Sequence, residues 1–569
     1  MKKKAKRGAS GAAYLDFVRE EVIGRNLAFE TPFGLRNIFY ADYTASGRGL
    51  GFIERRLLEI QKSYANTHTE DDYSGKRLTT LLKQAEQKIK DFVNAGDRGK
   101  IIPVGSGSTG ALQKLQEIIG VYIPPLTRER LGESSAVAPG IGNSGRGLPD
   151  RRKPVVFIGP YEHHTNELMW REAFAEVVVV NLAAGGGLDL DDLDRRLADR
   201  RYAGRVKFGS FSAGSNITGV KTPVYEVARI CHRHRTPVFF DFAAVAPYAE
   251  IDMNKDAASY FDAIFFSPHK FLGGPGSSGV LVLREELYRK DLPPTTAGGG
   301  TVVYVGFDRQ DYAEDIETRE LAGTPPILQT IKAALAMEVR ERIGVRTIER
   351  IENENLAFFL GKLSAISNIQ LIGRYDDADL TPIVSFNIRH KDRILHPKFV
   401  TKLLNDLFGI QSRAGCSCAG PYGHVLLGID ETTSRRFREM ILRGLQGIKP
   451  GWVRVNVHYT FTRSDVDFLV RAIAFAARHG QAFLHRYAFD FATGEWRHLD
   501  FSEAQPELDL ESHEAGRTAD LSRIRKIRAA HFEAARALAR CLERAGEPRW
   551  VKDAEDVEAL KNFYYAQRA

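Results

Sequence analysis

A lysine stands directly after an apolar run in the stretch FFSPHKFLGGPGSSGVLVL. The run ends in Ser267, Pro268, His269 and Lys270, and a glycine-rich loop leads from there to another apolar run. Ligands of open α/β sheets bind outside the carboxyl ends of the strands. An amine removed from water loses its proton more readily, which is the state that Schiff-base chemistry requires. The placement therefore indicates Lys270 as a candidate for covalent chemistry on a carbonyl group, with an ordinary surface lysine as the alternative.

Two further segments carry groups that suit a phosphorylated pyridine cofactor. Asp241 closes the run TPVFFD, where a carboxylate would keep a pyridine nitrogen protonated, as pyridoxal 5'-phosphate (PLP) requires. The segment VGSGSTGALQKLQEIIG opens a helix with small residues. The free amide groups there, with the hydroxyls of Ser108 and Thr109, would bind an anion. A commonplace strand-ending aspartate and an ordinary glycine turn are the simpler interpretations.

Polar residues also follow two other apolar runs. PYEHHTNELMW places Glu162, His163 and His164 where a strand meets a loop, and GSFSAGSNITGV places Asn216 at the end of another predicted strand. Adjacent histidines on an extended chain point to opposite sides, so they make a poor metal pair. One of them is suited to stacking on an aromatic ring. Several strands are therefore predicted to direct polar groups at one crevice.

Two of the four cysteines lie close together in SRAGCSCAGPYGH, at Cys416 and Cys418. Zinc favours two to four residues between paired cysteines and needs two more ligands, whereas Cys231 and Cys541 stand alone. We therefore expect no metal site. A disulfide between Cys416 and Cys418 would close a very small, strained ring, which suits only a transient redox state. A nucleophilic thiol and a pair of inert buried thiols both remain open.

The elements that must position these residues follow a repeated pattern. Short apolar runs alternate with helical patterns between about residues 100 and 285, which indicates a mostly parallel sheet covered by helices. The runs are PVVFIG (154–159), EVVVVNL (176–182), RVKFGSF (205–211), PVFFDF (237–242), DAIFFSP (262–268) and GVLVL (279–283). Residues 129–153 interrupt the pattern with Gly, Pro, Ser and charge, which predicts a flexible surface insertion.

Length and composition set the outer limits. The chain has 569 residues, 43% of them hydrophobic, which predicts two or three folded domains. The net charge of +8 includes five cations among the first seven residues, so the body is nearly balanced and we expect no nucleic-acid partner. We find no apolar signal segment and no apolar run long enough to cross a membrane. Sparse cysteines favour a reducing compartment, and the predicted location is the cytoplasm.

The motifs, taken together and in order, resemble the class V aminotransferase-like PLP enzymes, particularly the cysteine desulfurases and selenocysteine lyases. The resemblance runs from about residue 36 to 475, through YADYTASGRGL, GSGSTGAL, EHHTN, SNITG, FFD, SPHK, GGGT, ELAGTPPI, RAGCSC and WVRVN. It implies an α/β fold of the aspartate-aminotransferase type (type I). That fold has a large domain with a mostly parallel seven-stranded sheet, a smaller α+β domain and, here, a C-terminal helical extension.

The resemblance divides the chain into four parts. Residues 1–35 would be a basic tail and N-terminal segment, and residues 36–340 the large PLP-binding domain. Residues 341–480 would form the small α+β domain that carries the cysteine loop. Residues 481–569, which include the charged pattern LSRIRKIRAAHFEAARALARCLERAG, would be an appended, mostly helical module.

The resemblance also assigns roles to individual residues. Lys270 would be the Schiff-base lysine and His163 would stack on the cofactor ring, so both count as catalytic. Asp241 would pair with the pyridine nitrogen. The other expected cofactor ligands are Ser108, Thr109, Asn216, Ser267, His269 and Thr324. Thr324 would reach across from a second copy, so a homodimer is expected. Arg454, with Asn216 and Arg413, would bind the carboxylate of a small amino acid such as L-cysteine, a task that suits the guanidinium fork.

The same comparison separates the two cysteines. Arg413, Gly415, Cys418 and Ala419 fit a pattern resembling R-x-G-x-x-C-A, so Cys418 aligns with the catalytic thiol. Cys416 would be a second thiol, and molybdenum cofactor sulfurases look similar in carrying C-x-C here. Arg413 or His424 is expected to favour the thiolate. The implied reaction moves sulfur from L-cysteine to Cys418 as a persulfide, leaves alanine, and passes the sulfur to an acceptor protein.

One position departs from the family pattern. Ala244 stands where the family often has glutamine, three residues after the aspartate, in the sequence DFAAVAPY. The departure keeps other reactions open: an aminotransferase, C–S lyase or epimerase acting on another amino acid. A sulfur-relay or scaffold protein with a vestigial PLP site is the alternative from a different class.

Overall fold

The computed structural model describes residues 11–67, 69–105, 107–133, 153–375, 379–506, 508–510 and 521–566. The chain divides into two compact units. The first comprises the described parts of Met1–Glu21, Ser46–Ser215 and Val220–Val345. The second comprises those of Val22–Ala45, Asn216–Gly219 and Arg346–Ala569.

Helices and strands alternate along the first part of the chain. In order, the elements are α1 (Gly11–Glu20), β1 (Ala28–Phe29), β2 (Arg36–Asn37), β3 (Phe39–Tyr40), α2 (Gly51–Gln61), α3 (Tyr73–Phe92), β4 (Gly99–Val104), α4 (Gly107–Ile118), α5 (Pro125–Glu133), β5 (Val155–Ile158), α6 (His164–Glu172), β6 (Glu176–Val179), α7 (Leu190–Leu197), β7 (Lys207–Ser212), α8 (Val224–Arg233), β8 (Val238–Asp241), β9 (Ala263–Phe266), β10 (Gly279–Arg284), β11 (Val302–Val305), β12 (Gln310–Tyr312), α9 (Ile316–Arg319) and α10 (Ile327–Ile343).

The remaining elements follow from residue 345. They are α11 (Val345–Leu363), β13 (Ile369–Leu371), β14 (Ile383–His390), β15 (Arg393–Ile394), α12 (Pro397–Phe408), β16 (Ile410–Gln411), β17 (Arg413–Gly415), α13 (Gly420–Leu427), α14 (Glu431–Leu442), β18 (Trp452–Asn456), α15 (Arg463–His479), β19 (Tyr487–Asp490), β20 (Glu495–His498), α16 (Leu521–Arg544) and α17 (Glu555–Glu558). Short 3-10 helices span Arg200–Tyr202, Pro268–Lys270, Glu285–Leu287, Gln446–Ile448 and Gly480–Arg486.

The first unit is built on a seven-stranded sheet in the order β4-β10-β9-β8-β7-β5-β6. Neighbouring strands from β9 to β6 run parallel, whereas β10 is antiparallel to both β4 and β9. The central strands are buried along their whole length, as in VFFD of β8 and AIFF of β9, because helices cover both faces of a parallel sheet. The predicted mostly parallel seven-stranded sheet is confirmed.

Parallel pairing brings the polar strand ends to one edge of this sheet. Asp241 is the last residue of β8, Ser267 follows β9 directly, and His163 lies five residues beyond the end of β5. The strands that carry them are neighbours or near neighbours. Their carboxyl ends therefore form one edge, where open α/β sheets bind ligands.

The second unit has an antiparallel sheet in the order β13-β14-β18-β17, with β15 paired to β14. A short parallel pair joins β3 to β16, through Phe39 with Ile410 and Tyr40 with Gln411. This pairing explains why residues 22–45 pack with the second unit, whereas the sequence-based division placed residues 36–45 in the large domain.

The C-terminal region contains the predicted long helix, α16, and also a hairpin that the sequence analysis did not predict. It is part of the second unit and contains the antiparallel hairpin β19–β20 beside α16. Helix α16 buries Ile524, Phe532 and Ala539, so this region has a packed face. Of the predicted insertion, residues 134–152 lie outside the described residues, and residues 129–133 complete α5. Residues 1–10 of the predicted basic tail also lie outside them. No helix in the described ranges is long and apolar enough to span a membrane.

Candidate active site

Lys270 ends the 3-10 turn that follows β9 and is half-buried. The turn is fixed by the segment TASG: the Gly47 amide and the Ser46 hydroxyl both donate to the carbonyl of His269, at 2.9 and 3.2 Å. A Cβ on Gly47 would lie 2.0 Å from the carbonyl oxygen of Phe271, so only glycine allows this close approach. The backbone on either side of the Lys270 side chain is thereby held in place.

The start of helix α4 meets the same turn. Ser108 is buried, its amide donates to Ser267 Oγ at 2.9 Å, and the two hydroxyls lie 2.9 Å apart. Gly107 has a φ of +49°, and a Cβ there would lie 2.9 Å from Ser267 Oγ. The exposed Thr109 shares a 2.9 Å hydroxyl contact with Thr165. A helix start with amides and hydroxyls converging on a glycine is a suitable cradle for a phosphate.

Asp241 is a buried carboxylate at the end of β8, with only 5% of its surface exposed. Burial raises the pKa of Asp241, and the amide of Ala243, which donates to Oδ1 at 2.8 Å, and the charge of Lys270 act in the opposite direction. Among the residues that the structure describes, Asp241 makes no ion pair. A protonated pyridine nitrogen would supply the cation that this carboxylate lacks.

His269 lies beside Lys270 in the turn. Burial, helped by the positive charge of Lys270, lowers the pKa of His269 to about 4. Its Nδ1 lies 3.2 Å from Ser46 Oγ. The imidazole is therefore neutral at neutral pH and can still donate one N–H to an anion.

His163 is the N-cap of helix α6. Its Nδ1 accepts a hydrogen bond from the amide of Thr165 at 3.1 Å, so the ring proton is on Nε2 in the neutral form. The ring is thereby oriented by its own backbone. His164, the second histidine of the pair, begins the helix and is not a cap.

Glu162 is a buried residue with a structural role that its place in the EHHTN motif does not reveal. Its carboxylate accepts from the amides of Gly159 and Ser212 at 2.9 Å, from the Ser212 hydroxyl at 2.5 Å and from Asn166 Nδ2 at 2.6 Å. Burial raises the pKa of Glu162 to about 7 against these hydrogen bonds. Glu162 thus ties the ends of β5 and β7 together directly before His163.

The structure does not bring Thr324 to the other predicted cofactor ligands of this chain. Thr324 is exposed, and its Oγ1 accepts a hydrogen bond from Asn66 Nδ2 at 3.0 Å. We call the residues that do gather in the first unit the lysine cluster: Ser108, Thr109, His163, Asp241, Ser267, His269 and Lys270. They offer a carboxylate, a lysine amine and several hydroxyl and amide donors, which fits PLP.

Arg454 is the centre of a second set of residues, in the second unit. It lies on β18, and its side chain is 3% exposed. Nη2 pairs with Asp42 Oδ1 at 2.8 Å, and Nη1 donates to the carbonyl of Asn216 at 3.0 Å. Nε, also buried, has no hydrogen-bond partner among the described residues. The guanidinium therefore retains a donor for a further acceptor.

Arg413 lies directly opposite Arg454 in the antiparallel pair of β17 and β18. Residues opposite each other in a sheet share a face. Burial lowers the pKa of Arg454, Asp42 opposes this, and the charge of Arg413 adds to the lowering. The sequence analysis gives Asp42 no role, although Asp42 lies in the motif YADYTASGRGL.

Cys418 and Ser417 adopt left-handed backbone conformations, with φ of +59° and +51°. Asn216 Nδ2 donates to the carbonyl of Ser417 at 2.7 Å and so anchors the loop. Cys418 is half-buried, whereas Cys416 is exposed. Cys418 lies close enough to Arg454 that a negative charge on its sulfur would raise the pKa of the guanidinium. We call Asp42, Asn216, Arg413, Cys418 and Arg454 the arginine cluster.

The structure gives less support to the other roles considered for the cysteines, in a metal site or a disulfide. Cys231, Cys416, Cys418 and Cys541 are all free thiols. No group of three or more His, Cys, Asp or Glu side chains in the described part of the chain is arranged to hold a metal ion. His424 Nδ1 contacts the carbonyl of Gly420 at 2.7 Å, one turn back in α13.

Known proteins resemble this chain over most of its length. A family model described as Aminotransferase class-V matches residues 136–469. A probable cysteine desulfurase of Halalkalibacterium halodurans is 27% identical over 404 residues, covering 70% of this chain and 87% of the relative. One of Streptomyces coelicolor is 26% identical over 405 residues, with the same two coverages.

Solved structures agree on the fold. The apo structure of a cysteine desulfurase from Thermococcus onnurineus NA1 matches with a TM-score of 0.62 at 23% identity, covering 81% of this chain and 98% of that one. The Escherichia coli cysteine desulfurase CsdA matches with a TM-score of 0.56 at 23% identity, covering 77% and 94%. The predicted type I fold and family are confirmed.

Proposed function

The chain belongs to the class-V aminotransferase family of PLP-dependent enzymes, and on this premise we propose that it is a cysteine desulfurase acting on L-cysteine. The observation that carries the proposal is the arginine cluster. It places a half-buried cysteine, held on a left-handed loop, beside a buried arginine whose Nε has no hydrogen-bond partner within the described part of the chain. A carboxylate receptor next to a thiol suits an amino acid whose sulfur is to be removed. Probable cysteine desulfurases are also among its curated relatives.

The lysine cluster would hold the cofactor. Lys270 would bind it through the amine, Asp241 would accept a hydrogen bond from the pyridine nitrogen, and His163 would cover the ring. The helix start at Ser108 and Thr109, with Ser267 and His269, would bind the phosphate. When bound, PLP supplies an electron sink for the charge left by a departing Cα proton. Lys270 would take that proton, for which its amine must be neutral.

The arginine cluster would hold the substrate. Arg454 would bind the carboxylate through its remaining donors, and Arg413 would add charge from the opposite strand. Asn216 supports this arrangement twice, because its carbonyl accepts from Arg454 and its side chain anchors Ser417. The Cys418 thiolate would then take the sulfur of the substrate as a persulfide, leaving alanine.

We also propose a homodimer. The hairpin β11–β12 exposes four large apolar side chains, Val303, Tyr304, Val305 and Phe307, each more than half exposed. Several exposed apolar side chains on one hairpin support its burial against another chain. Thr324 is exposed as well, as expected of a residue that serves the site of a second copy.

The remaining parts of the proposal concern where the protein acts and what receives the sulfur. Four free cysteines support a reducing compartment, and we propose the cytoplasm. The persulfide would pass to an acceptor protein, because the sulfur must leave Cys418 before the next turnover. Selenocysteine is a second substrate of the same chemistry, since its selenium occupies the place of the sulfur.

Single-turnover reactions of the holoenzyme with L-cysteine test the proposal. We expect one alanine per active site and a persulfide on the Cys418 peptide, detected by mass spectrometry. Cys418→Ser should abolish the persulfide. The matched variant Cys416→Ser removes an exposed thiol two residues away and should retain it. Alanine formation that is unchanged in Cys418→Ser would show that the thiol is not the acceptor.

A further inference from the structure

Cys416 and Cys418 occupy the first and third positions of one tight turn. The amide of Ala419 donates to the carbonyl of Cys416 at 3.2 Å, which closes a turn of four residues. The two central residues, Ser417 and Cys418, both have a positive φ, of +51° and +59°, as in a type I′ turn. Two residues of extended chain span at most about 7 Å, and a turn is shorter. The backbone therefore makes the two thiols near neighbours.

The second unit holds this turn in place on both sides. Gly415 ends β17 with a φ of +114°, and a Cβ on Gly451 would lie 2.8 Å from the backbone of Gly415, so the two chain segments approach closely there. Ala419, at the other end of the turn, is completely buried. Between them, Asn216 Nδ2 donates to the carbonyl of Ser417 at 2.7 Å. The two cysteines are therefore presented by a fixed turn.

The two thiols differ in their access to other molecules. Cys418 is half-buried and lies near the guanidinium of Arg454, in the arginine cluster where the substrate would bind. Cys416 is exposed. A thiol of an acceptor protein must reach the sulfur atom that it attacks, and burial prevents this for a large molecule. Cys418 is therefore suited to removing sulfur from a small substrate, and Cys416 is suited to delivering it.

We propose that Cys416 is a relay thiol, which takes the sulfur from Cys418 and delivers it to the acceptor protein. The inference rests on the proposed function and deepens it. The thiolate of Cys416 attacks the outer sulfur of the Cys418 persulfide. A new S–S bond forms at Cys416, the S–S bond at Cys418 breaks, and its electron pair leaves with Cys418 as a thiolate. The proton of the Cys416 thiol goes to water, and the exchange consumes no oxidant or reductant.

Attack on the inner sulfur of the persulfide is the competing reaction. It would join Cys416 to Cys418 in a small, strained disulfide ring and release hydrosulfide. Attack on the outer sulfur leaves no ring, and the persulfide extends the Cys418 side chain by an S–S bond of about 2 Å. The positive charge of Arg454 stabilises the thiolate that leaves Cys418, and a more stable thiolate leaves faster. Both effects favour transfer of the outer sulfur to Cys416.

Turnover of the holoenzyme with L-cysteine and two thiols of different size tests the relay. One is dithiothreitol, and the other is a thiol at the end of a long polyethylene glycol chain, which represents a macromolecular acceptor. With the polymer thiol, Cys416→Ser should release a burst of about one alanine per active site and then turn over about tenfold or more slower than the wild type, because the persulfide stays on Cys418. Dithiothreitol should reduce this difference, because a small thiol reaches Cys418.

Cys541→Ser is the matched control, because it removes another exposed thiol of the same unit, and it should behave as the wild type with both thiols. Fragment-ion mass spectra of the alkylated wild type should find persulfide sulfur on Cys416 as well as on Cys418. Equal rates of the wild type and Cys416→Ser with the polymer thiol, or release of hydrosulfide with a Cys416–Cys418 disulfide, would overturn the relay. Absence of alanine in every protein would instead overturn the proposed function.

Discussion

The Nδ1 atom of His163 accepts a hydrogen bond from the amide of Thr165, so this residue caps helix α6 with the ring that would cover the cofactor. Two substitutions separate these roles. Asparagine is a strong N-cap and alanine is a poor one. His163→Asn and His163→Ala should both lose turnover with L-cysteine, because neither has a ring. Only His163→Ala should also lose stability, by about 1 kcal/mol in urea unfolding.

His164→Ala is the control for this pair of variants, because it removes the neighbouring imidazole without removing the cap. Equal stability of His163→Asn and His163→Ala would show that the cap contributes nothing. Retained turnover in either of them would argue against a role for the ring.

Ser417 is held in the left-handed region with a buried hydroxyl that has no hydrogen-bond partner among the described residues. Glycine adopts this conformation without the steric cost that other residues bear. We expect Ser417→Gly to raise the free energy of unfolding by about 1 kcal/mol. Ser412→Gly, between β16 and β17 at a position without a positive φ, should lower it by about 0.5–1 kcal/mol. A lower free energy of unfolding in Ser417→Gly would contradict a steric cost of the left-handed backbone at Ser417.

Glu162 should make stability depend on pH. Its pKa is raised from 4.5 to about 7, so the native state binds the proton more tightly than the unfolded state. This contribution is fully present below about pH 4.5 and is lost as the pH rises through 7. The difference in unfolding free energy between wild type and Glu162→Gln should therefore fall by about 2.5 kcal/mol between pH 5 and pH 8. Urea unfolding at each pH measures it.

Glu172→Gln provides the comparison, because Glu172 lies on the same helix with an exposed side chain. The difference in unfolding free energy between wild type and Glu172→Gln should stay constant between pH 5 and pH 8. If the difference in unfolding free energy between wild type and Glu162→Gln is also constant with pH, then Glu162 keeps an ordinary pKa.

Lys561 should anchor the C-terminal segment. Its side chain is 1% exposed and pairs with Asp553 at 2.5 Å and Glu558 at 2.8 Å, while Nζ also donates to the carbonyl of Val551. Lys561→Met leaves Asp553 without its cation and removes one of the two cations that pair with Glu558, which keeps Arg393 at 2.6 Å, and should cost about 3 kcal/mol. Hydrogen exchange should speed up first in residues 551–566. Lys552→Met removes an exposed lysine and should have little effect on stability or hydrogen exchange. Equal exchange rates in the two variants would contradict the anchoring role of Lys561.

The sequence predicts those site residues that directly follow a recognisable strand. Asp241, Ser267 and Lys270 follow continuous apolar runs, and such runs predict buried parallel strands whose ends share an edge. The partnership of Asp42 with Arg454 could not be predicted in this way, because it depends on a pairing of strands that no local pattern encodes. The hairpin β19–β20 was also missed, although FATG between two short polar-apolar runs is a readable turn signal.

The parallel pairing of β3 with β16 has a consequence for synthesis on the ribosome. Phe39 pairs with Ile410, 371 residues later in the chain. At elongation rates of roughly 5–20 residues per second the N-terminal strand waits roughly 20–75 s for its partner to be made. During that interval Phe39, Ala41 and Tyr43, all buried in the finished protein, have nothing to pack against. Nascent chains halted before residue 410 should therefore be sensitive to proteases around residues 36–45 and should bind chaperones that recognise exposed apolar segments.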